Sequence, residues 1–364
     1  MEKKTLFIEP FYFYNGHYFG LFNNLVNNLS HRKNVSFLVS VNNKINNFIF
    51  KKGLNNIKKK ADVLTFNSVK KSDSNWNVLN AFIKVIKLNK KFDIFYFQDA
   101  NIPIVSLLYL LFWPILYNKK LTIYVFYGPE VFNKSFLKRI LVKIFLSFKN
   151  NKIFTRTKHH SAAWQNYFSN KKNISYLDCY DFPNIDLNLK KTGKLKCGVI
   201  GQIRFGKSIE YLHNYFANNK NEGIFYIIGN FTDNRARNNF KFLNKKFVFT
   251  ENFHSSNKIS KVSSSLDYIC LLYDVFFDYR QEVSTLFLAA RLRSPVICFN
   301  KKGWLLEQVK KYNCGIILKS INDFKKLPKR NSKKYKSLIK GLKKFDLAKT
   351  GKSTEEAFYN KVLS

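Results

Sequence analysis

The sequence predicts an α/β fold with two doubly wound parallel sheets in tandem. Short apolar runs alternate with amphipathic segments along the whole chain. The apolar runs are mostly continuous, which indicates strands covered on both faces by helices. A length of 364 residues favours two domains, and a polar, Lys-rich stretch at 186–194 separates two series of alternating elements. We therefore predict domains at 1–190 and 191–345, followed by a C-terminal helix within 346–364 that can cross back to the first domain.

The first domain contains seven predicted strands and five predicted helices. In the first helix, Phe19, Phe22 and Leu25 fall on one face. The strands are Thr5–Ile8, Val35–Val41, Asp62–Phe66, Asp93–Gln98, Leu121–Tyr127, Lys152–Thr155 and Ile174–Leu177. The helices are His17–His31, Trp76–Leu88, Ile104–Tyr117, Ser135–Phe148 and His159–Phe168.

The second domain repeats the alternation over about 150 residues. Its predicted strands are Leu195–Ile200, Ile224–Ile228, Phe247–Phe249, Tyr268–Tyr273, Pro295–Phe299 and Gly315–Leu318. Its predicted helices are Ile209–Asn218, Asn234–Leu243, Lys258–Ser264, Ser284–Leu292 and Leu305–Tyr312. A basic tail at 325–344 precedes a final helix near Thr354–Leu363.

Composition excludes disorder and indicates an anionic partner. Hydrophobic residues make up 46% of the chain and aromatic residues 17%, enough for two cores. Lys and Arg total 63 against 23 Asp and Glu, a net charge of +40 that favours nucleic acid, anionic lipid or phosphorylated substrates. Enrichment in Lys, Asn, Ile, Phe and Tyr is also typical of an AT-rich genome, so the charge has a second explanation.

Cysteine spacing and hydropathy favour a cytoplasmic protein. The five cysteines are scattered without zinc spacing, as in a reducing compartment. The N-terminus lacks the apolar segment of a signal peptide. The longest apolar run, Val105–Tyr117, is too short to span a bilayer. We expect a soluble or peripheral cytoplasmic protein.

The most informative motif follows the first strand of the second domain. The strand leads into Gly201-Gln202-Ile203-Arg204-Phe205-Gly206-Lys207, after which a helix is predicted. Backbone N–H groups at a helix N-terminus, with Arg204 and Lys207 close by, suit a diphosphate. The competing interpretation is a basic surface turn.

Two further loops precede predicted helices. Glu282 lies just before Ser284 and Thr285, which can cap a helix or contact a phosphate, while the carboxylate can hold ribose hydroxyls. Glu307 lies at the start of the helix that follows Gly303. Capped, solvated helices are the favoured interpretation of both loops when each is taken alone.

Taken in order, these pieces resemble the C-terminal domain of GT-B glycosyltransferases, closest to the group 1 or family 4 nucleotide-sugar enzymes. Gly201–Lys207 matches the family's G-x-(I/L)-R-x-x-K element, and Asp267–Leu272 stands at its next strand. Arg293–Ile297 matches "G-x-P-V-I", with Arg293 in place of the glycine, and Gly303–Gly315 matches the last element. The resemblance covers residues 195–318. It departs at Leu288, where the family has the second glutamate of a spaced pair.

The resemblance implies two Rossmann-like domains facing each other across a cleft, and transfer of a sugar from a nucleotide-diphosphate donor. That donor is a substrate, so no cofactor is expected. Because the chain has no Asp-x-Asp triplet, we expect no metal, with Arg204 and Lys207 neutralising the leaving diphosphate. The implied donor-binding residues are Gly16, Gly201, Arg204, Lys207, Glu282, Ser284, Thr285 and Glu307.

Three residues of the first domain are candidate catalytic bases. His17 follows Gly16 at the start of the first helix, in the position of the family's Gly-rich turn. Asp99 and Glu130 follow predicted strands at their carboxyl ends. Helix capping explains His17, and ordinary polar turns explain the other two, about as well.

The predicted helix Ser135–Phe148 combines an apolar face with Lys138, Arg139 and Lys143, a pattern typical of helices lying in a membrane surface. Together with the resemblance, this implies a cell-surface glycan or lipid-linked acceptor and a peripheral position on the inner face of the bacterial plasma membrane. A core helix is the alternative. A nucleic-acid-binding protein and a GT-B sugar-nucleotide epimerase are the competing functions, although no specific nucleic-acid motif is present.

Overall fold

The computed structural model divides the chain into two compact units. Unit 1 comprises residues 1–183 and 350–364, and unit 2 comprises residues 184–349. The sequence-based boundaries, at 190 and 345, lie a few residues from these divisions. The structure describes residues 3–12, 17–41, 48–68, 74–177, 191, 193–201, 203, 209–219, 223–229, 248–249, 262–273, 278–350 and 352–363.

Unit 1 is built on a seven-stranded parallel sheet with the strand order β3-β2-β1-β4-β5-β6-β7. Its strands are β1 (Thr5–Glu9), β2 (Val35–Val41), β3 (Val63–Asn67), β4 (Ile94–Gln98), β5 (Lys120–Val125), β6 (Lys152–Thr155) and β7 (Ile174–Tyr176). Its helices are α1 (His17–Leu29), α2 (Phe48–Lys58), α3 (Ser74–Leu88), α4 (Ile102–Leu111), α5 (Trp113–Leu116), α6 (Phe136–Ser147) and α7 (Lys158–Phe168). A 3-10 helix covers Pro129–Phe132.

Helices cover both faces of this sheet, which explains the continuous apolar strands. Leu6 and Ile8 face the core formed with α3, α4, α6 and α7. Phe7, between them, faces the opposite core formed with α1 and α2. The C-terminal helix α12 (Lys352–Leu363) packs in that second core through Phe358, Tyr359 and Val362.

Unit 2 is built on a six-stranded parallel sheet with the strand order β10-β9-β8-β11-β12-β13. Its strands are β8 (Lys196–Ile200), β9 (Ile224–Ile228), β10 (Val248–Phe249), β11 (Tyr268–Leu271), β12 (Val296–Phe299) and β13 (Gly315–Leu318). Its helices are α8 (Ile209–Asn218), α9 (Ser284–Arg291), α10 (Trp304–Tyr312) and α11 (Lys333–Thr350), with a 3-10 helix at Ile321–Lys326. Four of the five cysteines are described, and all four are buried free thiols.

The α/β class and the two parallel sheets are confirmed, with three corrections to the elements. The predicted helix Ile104–Tyr117 is two helices, because Pro114 has no N–H to donate to the carbonyl of Leu110, and the helical backbone breaks at Phe112. Helix α2 was not predicted. The basic tail at 325–344 is largely the amphipathic helix α11, which buries Tyr335, Leu338 and Leu342. The predicted helix Asn234–Leu243 and most of Lys258–Ser264 lie outside the described residues.

Lys120, at the start of β5, is a buried lysine whose positive charge destabilises the folded state. Its side chain is 8% exposed, and Nζ has no hydrogen-bond partner within the part of the chain that the structure describes. Burial lowers the pKa of Lys120 to about 7, and the charges of Lys152 and Lys3 act in the same direction. The folded state therefore pays a desolvation and repulsion cost whenever Lys120 is protonated.

We expect Lys120→Met to raise the free energy of unfolding at about pH 6 by about 1–2 kcal/mol. An unfolded lysine, with a pKa of about 10.4, holds a proton that folded Lys120 loses above about pH 7. The stability of the native protein should therefore rise with pH between about 7 and 10, and Lys120→Met should flatten that rise. Urea unfolding at both ends of this range measures it. Lys149→Met, at an exposed lysine, is the control, and equal pH slopes in all three proteins would contradict the assignment.

Candidate functional site

Each sheet has one point where the strand order reverses. In unit 1 this point lies between β1 and β4, and in unit 2 it lies between β8 and β11. Loops that follow the two flanking strands diverge there, which leaves a crevice at the carboxyl edge of the sheet where ligands of such folds bind. The sequence-predicted site residues can therefore be placed relative to these two edges.

The switch point of unit 2 carries a close glycine turn. Gly201, directly after β8, has a φ of 106°, and its N–H donates to the carbonyl of Ile228 over 2.9 Å. Gly229, directly after β9, has a φ of 143°, and a Cβ at this position would lie 1.7 Å from the carbonyl oxygen of Gly201. Both positions favour glycine through their backbone conformation, and at Gly229 the lack of space excludes a side chain as well. The backbone at the end of β8 is therefore in close contact with the backbone at the end of β9.

The turn that begins at Gly201 is anchored again at Ile203, which is fully buried in the core of unit 2. Helix α8 begins six residues later, at Ile209. Arg204 and Lys207 lie between these two anchors, and their placement falls outside the described residues. The strand, glycine turn and helix expected around them are present.

Two helices of unit 2 begin on the carboxyl side of the sheet without a side-chain cap. The N-cap of α9 is Val283, and the N-cap of α10 is Gly303. The expectation that Ser284 or Thr285 caps α9 is wrong, because the helix already includes both residues as its first turn. Their hydroxyls are partly exposed at a helix N-terminus, where the backbone N–H groups favour an anion.

The loop before α9 is tied to the start of α10. The N–H of Trp304 donates to the carbonyl of Tyr279 over 3.0 Å, and a Cβ on Gly303 would lie 2.2 Å from that same oxygen. This close approach brings the loop that contains Glu282 next to the first turn of α10, where Glu307 is partly exposed. Glu282 itself is 7% exposed.

The same loop contains an arginine that the sequence analysis did not select. The guanidinium of Arg280 forms a bidentate pair with Asp278, with Nε–Oδ1 at 2.8 Å and Nη2–Oδ2 at 2.9 Å. The hydroxyl of Tyr279 donates to the carbonyl of Tyr273 over 2.7 Å. These contacts hold a cation and its counter-ion in the loop between β11 and α9. An Asp and an Arg two positions apart are too common in protein sequences to single out this pair.

Two carboxyl groups flank the switch point of unit 1. Asp99 follows β4 with a φ of 46°, an uncommon conformation for a residue with a side chain. Glu9 ends β1, is fully buried, and accepts a hydrogen bond at Oε1 from the N–H of Phe11 over 2.8 Å. Burial raises the pKa of Glu9 well above its usual range, and the charge of Asp99 acts in the same direction. Burial and Asp99 also raise the pKa of the Tyr127 hydroxyl.

Glu9 is a residue that sequence reasoning missed. The signal in the sequence is a carboxylate at the end of the apolar strand Thr5–Glu9, and this signal alone does not show that the end of the strand is buried. The two acids differ in chemistry: Glu9 favours the protonated form, whereas Asp99 is only partly buried. Asp99 is therefore the better proton acceptor of the two.

The remaining first-domain candidates are Glu130 and His17. Glu130 is exposed in the 3-10 helix that follows β5. His17 is the first residue of α1, as predicted, while the placement of its side chain and of Gly16 falls outside the described residues. Neither observation selects between their catalytic and structural interpretations.

The structure also places Arg293 and Asp267, two residues of the segments that resemble the family pattern. Arg293, in place of the family's glycine, has a φ of 51°, the conformation that glycine favours. Its guanidinium pairs with Asp346 over 3.1 Å, which offsets part of the strain. Asp267 lies before β11, at the amino edge of the sheet, and is therefore remote from the switch-point loops.

No group of three or more His, Cys, Asp or Glu side chains that could hold a metal ion occurs among the described residues. In the same portion of the chain, no helix has the length and apolar character needed to cross a bilayer.

No protein-family model and no curated protein sequence matches this chain. Solved structures do match. Anabaena Alr3699/HepE in complex with UDP-glucose superposes with a TM-score of 0.69 at 12% identity, covering 100% of both chains. Sucrose-phosphate synthase from Thermosynechococcus elongatus has a TM-score of 0.68 at 10% identity, covering 100% of this chain and 99% of that chain. A UDP-N-acetylglucosamine 2-epimerase has a TM-score of 0.56 at 13% identity, covering 100% of this chain and 96% of that chain.

These similarities establish the fold. The chain has the GT-B fold, with two Rossmann-like units, and the resemblance to GT-B glycosyltransferases indicated by the sequence is confirmed at this level.

Proposed function

We propose that this protein is a glycosyltransferase that moves a sugar, of the hexosyl type, from a nucleotide-diphosphate donor. The observation that carries the proposal is the close glycine turn at the switch point of unit 2. Gly201 has a backbone conformation that favours glycine, Gly229 leaves no room for a side chain, and α9 and α10 begin uncapped on the same side of the sheet. Closely approached backbone with open helix N-termini suits a diphosphate. The neighbours solved with UDP-glucose and related ligands support this choice of donor class.

Each donor-binding residue has a role in this proposal. Arg204 and Lys207 neutralise the diphosphate, and Ser284 and Thr285 donate hydrogen bonds to it. Glu282 and Glu307 accept hydrogen bonds from sugar or ribose hydroxyls. Gly201 in unit 2 and Gly16 in unit 1 keep their loops free of side chains. We propose that no metal is required, because the two cations stabilise the leaving group in its place.

Asp99 is our proposed catalytic base. The acceptor hydroxyl oxygen forms a bond to the anomeric carbon while the bond from that carbon to the donor diphosphate breaks. The acceptor proton passes to Asp99, and the diphosphate leaves with the electron pair. Burial of Glu9 raises its pKa and favours its protonated form, which leaves Asp99 as the carboxylate that accepts the proton. His17 and Glu130 remain the other candidates.

The acceptor that we propose is a cell-surface polysaccharide or a lipid-linked glycan precursor, with the protein placed peripherally on the cytoplasmic face of the membrane. Two features support this choice: the net charge of +40 and the cations along α6. An acceptor held in the membrane would explain why α6 carries exposed cations beside exposed apolar side chains.

A thermal-shift series with UDP, GDP, ADP and CMP, followed by their sugars, tests the proposal. We expect one nucleoside diphosphate to raise the melting temperature, and its sugar conjugate to release that nucleotide slowly in the absence of acceptor. EDTA should leave this hydrolysis unchanged. Bulk RNA that binds in a salt-sensitive manner, with no response to any nucleotide, would instead indicate a nucleic-acid-binding protein.

A sugar-nucleotide epimerase is the second candidate, because an epimerase shares the fold. Such an enzyme would convert the donor to an isomer without an acceptor. Chromatography of the incubated donor separates the alternatives: free sugar and nucleoside diphosphate support a transferase, whereas an isomeric nucleotide sugar would replace our proposal.

A further inference from the structure

Exposed apolar side chains are concentrated in one part of unit 1. Twelve large hydrophobic residues are exposed among the described residues, and eleven of them lie between positions 76 and 144. Leu347 is the other one. Single exposed apolar residues are normal, but such a concentration marks an interaction surface.

Eight of these residues lie on three consecutive helices and the turn beside them, and together we call them the α4–α6 surface. They are Leu107, Leu111, Trp113, Ile115, Tyr117, Phe136, Leu137 and Ile144, with exposed fractions from 40% to 74%. Phe136 and Leu111 are 74% and 65% exposed.

The packing of these helices places the eight side chains on one side of the unit. Helices α4 and α6 lie in contact on the same face of the sheet. The ring of Tyr109 on α4 lies 5.6 Å from that of Phe145 and 5.2 Å from that of Phe148. These inward contacts direct the opposite sides of both helices away from the sheet. Trp113 on α5 closes the group, with its ring 6.1 Å from Phe148.

Spacing within each helix agrees with this arrangement. Leu107 and Leu111 are one turn apart on α4, and Leu137 and Ile144 are two turns apart on α6. Buried Val142, Phe145 and Leu146 take the inward side of α6. The helix therefore has two apolar sides, and the sheet covers one of them.

The surroundings of the α4–α6 surface are strongly basic. Residues 101–177 include ten lysines and two arginines but one acid, Glu130. Lys138, Arg139 and Lys143 on α6 are exposed, and helices α4, α5 and α6 contain no acidic residue. Any partner of this surface must accept apolar side chains and carry negative charge.

We propose that the α4–α6 surface docks on an anionic lipid bilayer, with the helices lying in the plane of the interface. Phe and Leu side chains would enter the acyl region, Trp113 and Tyr117 would occupy the headgroup boundary, and the lysines would reach the phosphates. Helices α4, α5 and α6, with 10, 4 and 12 residues, are too short to span the bilayer. This inference deepens the proposed membrane placement by naming the surface and the lipid, and it is independent of the proposed transfer reaction, because it requires only the exposed side chains of unit 1.

Charge favours the bilayer over a second copy of the chain. A symmetric dimer through this surface would bring Lys138, Arg139 and Lys143 toward the same cations of the other copy. A nucleic acid would satisfy the cations but leave Leu111, Phe136 and Leu137 without apolar partners. An anionic bilayer satisfies both kinds of side chain at once.

Flotation of the full-length protein with phosphatidylcholine vesicles, with and without phosphatidylglycerol, tests the proposal. We expect binding that requires phosphatidylglycerol and weakens with salt. Lys138→Glu/Arg139→Glu/Lys143→Glu should reduce it by about a hundredfold or more, since each cation near an anionic surface contributes about fivefold. The control Lys336→Glu/Lys340→Glu/Lys343→Glu makes the same charge change at exposed lysines on α11. This control should bind the vesicles much more tightly than the α6 variant does.

The apolar contribution has its own matched pair. Leu137→Ser and Leu347→Ser remove leucines of similar exposure, 67% and 75%, from unit 1 and unit 2. We expect the first to weaken vesicle binding several-fold and the second to leave it unchanged, with both melting temperatures preserved. Combining Phe136→Ser with Leu137→Ser should abolish binding.

Two results would overturn the proposal directly: native protein that does not float with anionic vesicles, or vesicle binding that neither the charge variant nor the apolar variants change. The proposal would also be wrong if the native protein self-associates without binding vesicles and Phe136→Ser/Leu137→Ser abolishes that self-association. Thermal shifts with nucleotides are measured on the same variants. A variant that loses vesicle binding but retains its nucleotide response separates this surface from the donor site.

Discussion

Replacing Arg330 by alanine should lower the free energy of unfolding of unit 2 by about 3–5 kcal/mol. Arg330 is the partner of Asp267, a fully buried carboxylate. Nη2 of Arg330 donates to Oδ2 of Asp267 over 2.7 Å, and Nε donates to the other oxygen. Without the guanidinium the carboxylate stays buried and loses its counter-ion, which is the costly way to break a buried ion pair.

The same arginine also fixes the segment that leads into unit 2. Its Nη1 donates to the carbonyl of Lys191 over 2.8 Å. Nζ of Lys191 in turn donates to Oγ of Ser294 over 2.7 Å. Arg330→Ala therefore removes contacts from the start of unit 2 as well as from the amino edge of its sheet, so we expect β8 and β11 to be affected together.

Urea unfolding, followed through hydrogen exchange of β8 and β11 amides, measures this loss. Lys326→Ala is the matched control, because its ion pair with Asp323 is largely exposed and should be dispensable. Asp267→Asn/Arg330→Met removes both charges and should recover part of the stability lost in Arg330→Ala. Equal stability of Arg330→Ala and Lys326→Ala would show that the buried pair is not needed.

The fold could be predicted from the sequence because the strands are continuous apolar runs. Observed strands such as Val35–Val41, Ile224–Ile228 and Gly315–Leu318 coincide with the predicted ones. Helix boundaries were harder. Helix α11 was hidden by ten Lys or Arg residues between 325 and 344, although the apolar spacing Tyr335, Leu338, Leu342 was present. High charge therefore identifies a solvated face without excluding a buried one.

The site was less predictable than the fold, since its geometry depends on contacts between distant loops. The conflict between Gly229 and any side chain arises from Gly201, in another loop. The tie between Trp304 and Tyr279 joins residues 25 positions apart. Glu9 was missed for a related reason: its burial comes from packing around β1, whereas its position in the sequence indicates only the end of a strand.

Removing the two cations of the glycine turn should have the largest effect on ligand binding. We expect Arg204→Ala/Lys207→Ala to weaken nucleotide affinity by at least a hundredfold, because charge-assisted contacts contribute about 1.5–3 kcal/mol each. Either single variant should lose about tenfold or more. The reason is local: the turn begins at Gly201, where the backbone can approach a diphosphate closely, and ends at the N-terminus of α8.

Calorimetric titration of the nucleoside diphosphate selected by the thermal-shift series measures these affinities. Lys301→Ala/Lys302→Ala is the matched control, since it removes two exposed cations that follow β12 at the same carboxyl edge of the sheet. If the turn holds the diphosphate, Arg204→Ala/Lys207→Ala should lose most of its nucleotide affinity and the control should lose almost none. Equal losses of affinity in the two double variants would mean that the general positive charge of unit 2 attracts the nucleotide. Unchanged affinity in a folded Arg204→Ala/Lys207→Ala variant would remove these residues from the donor site.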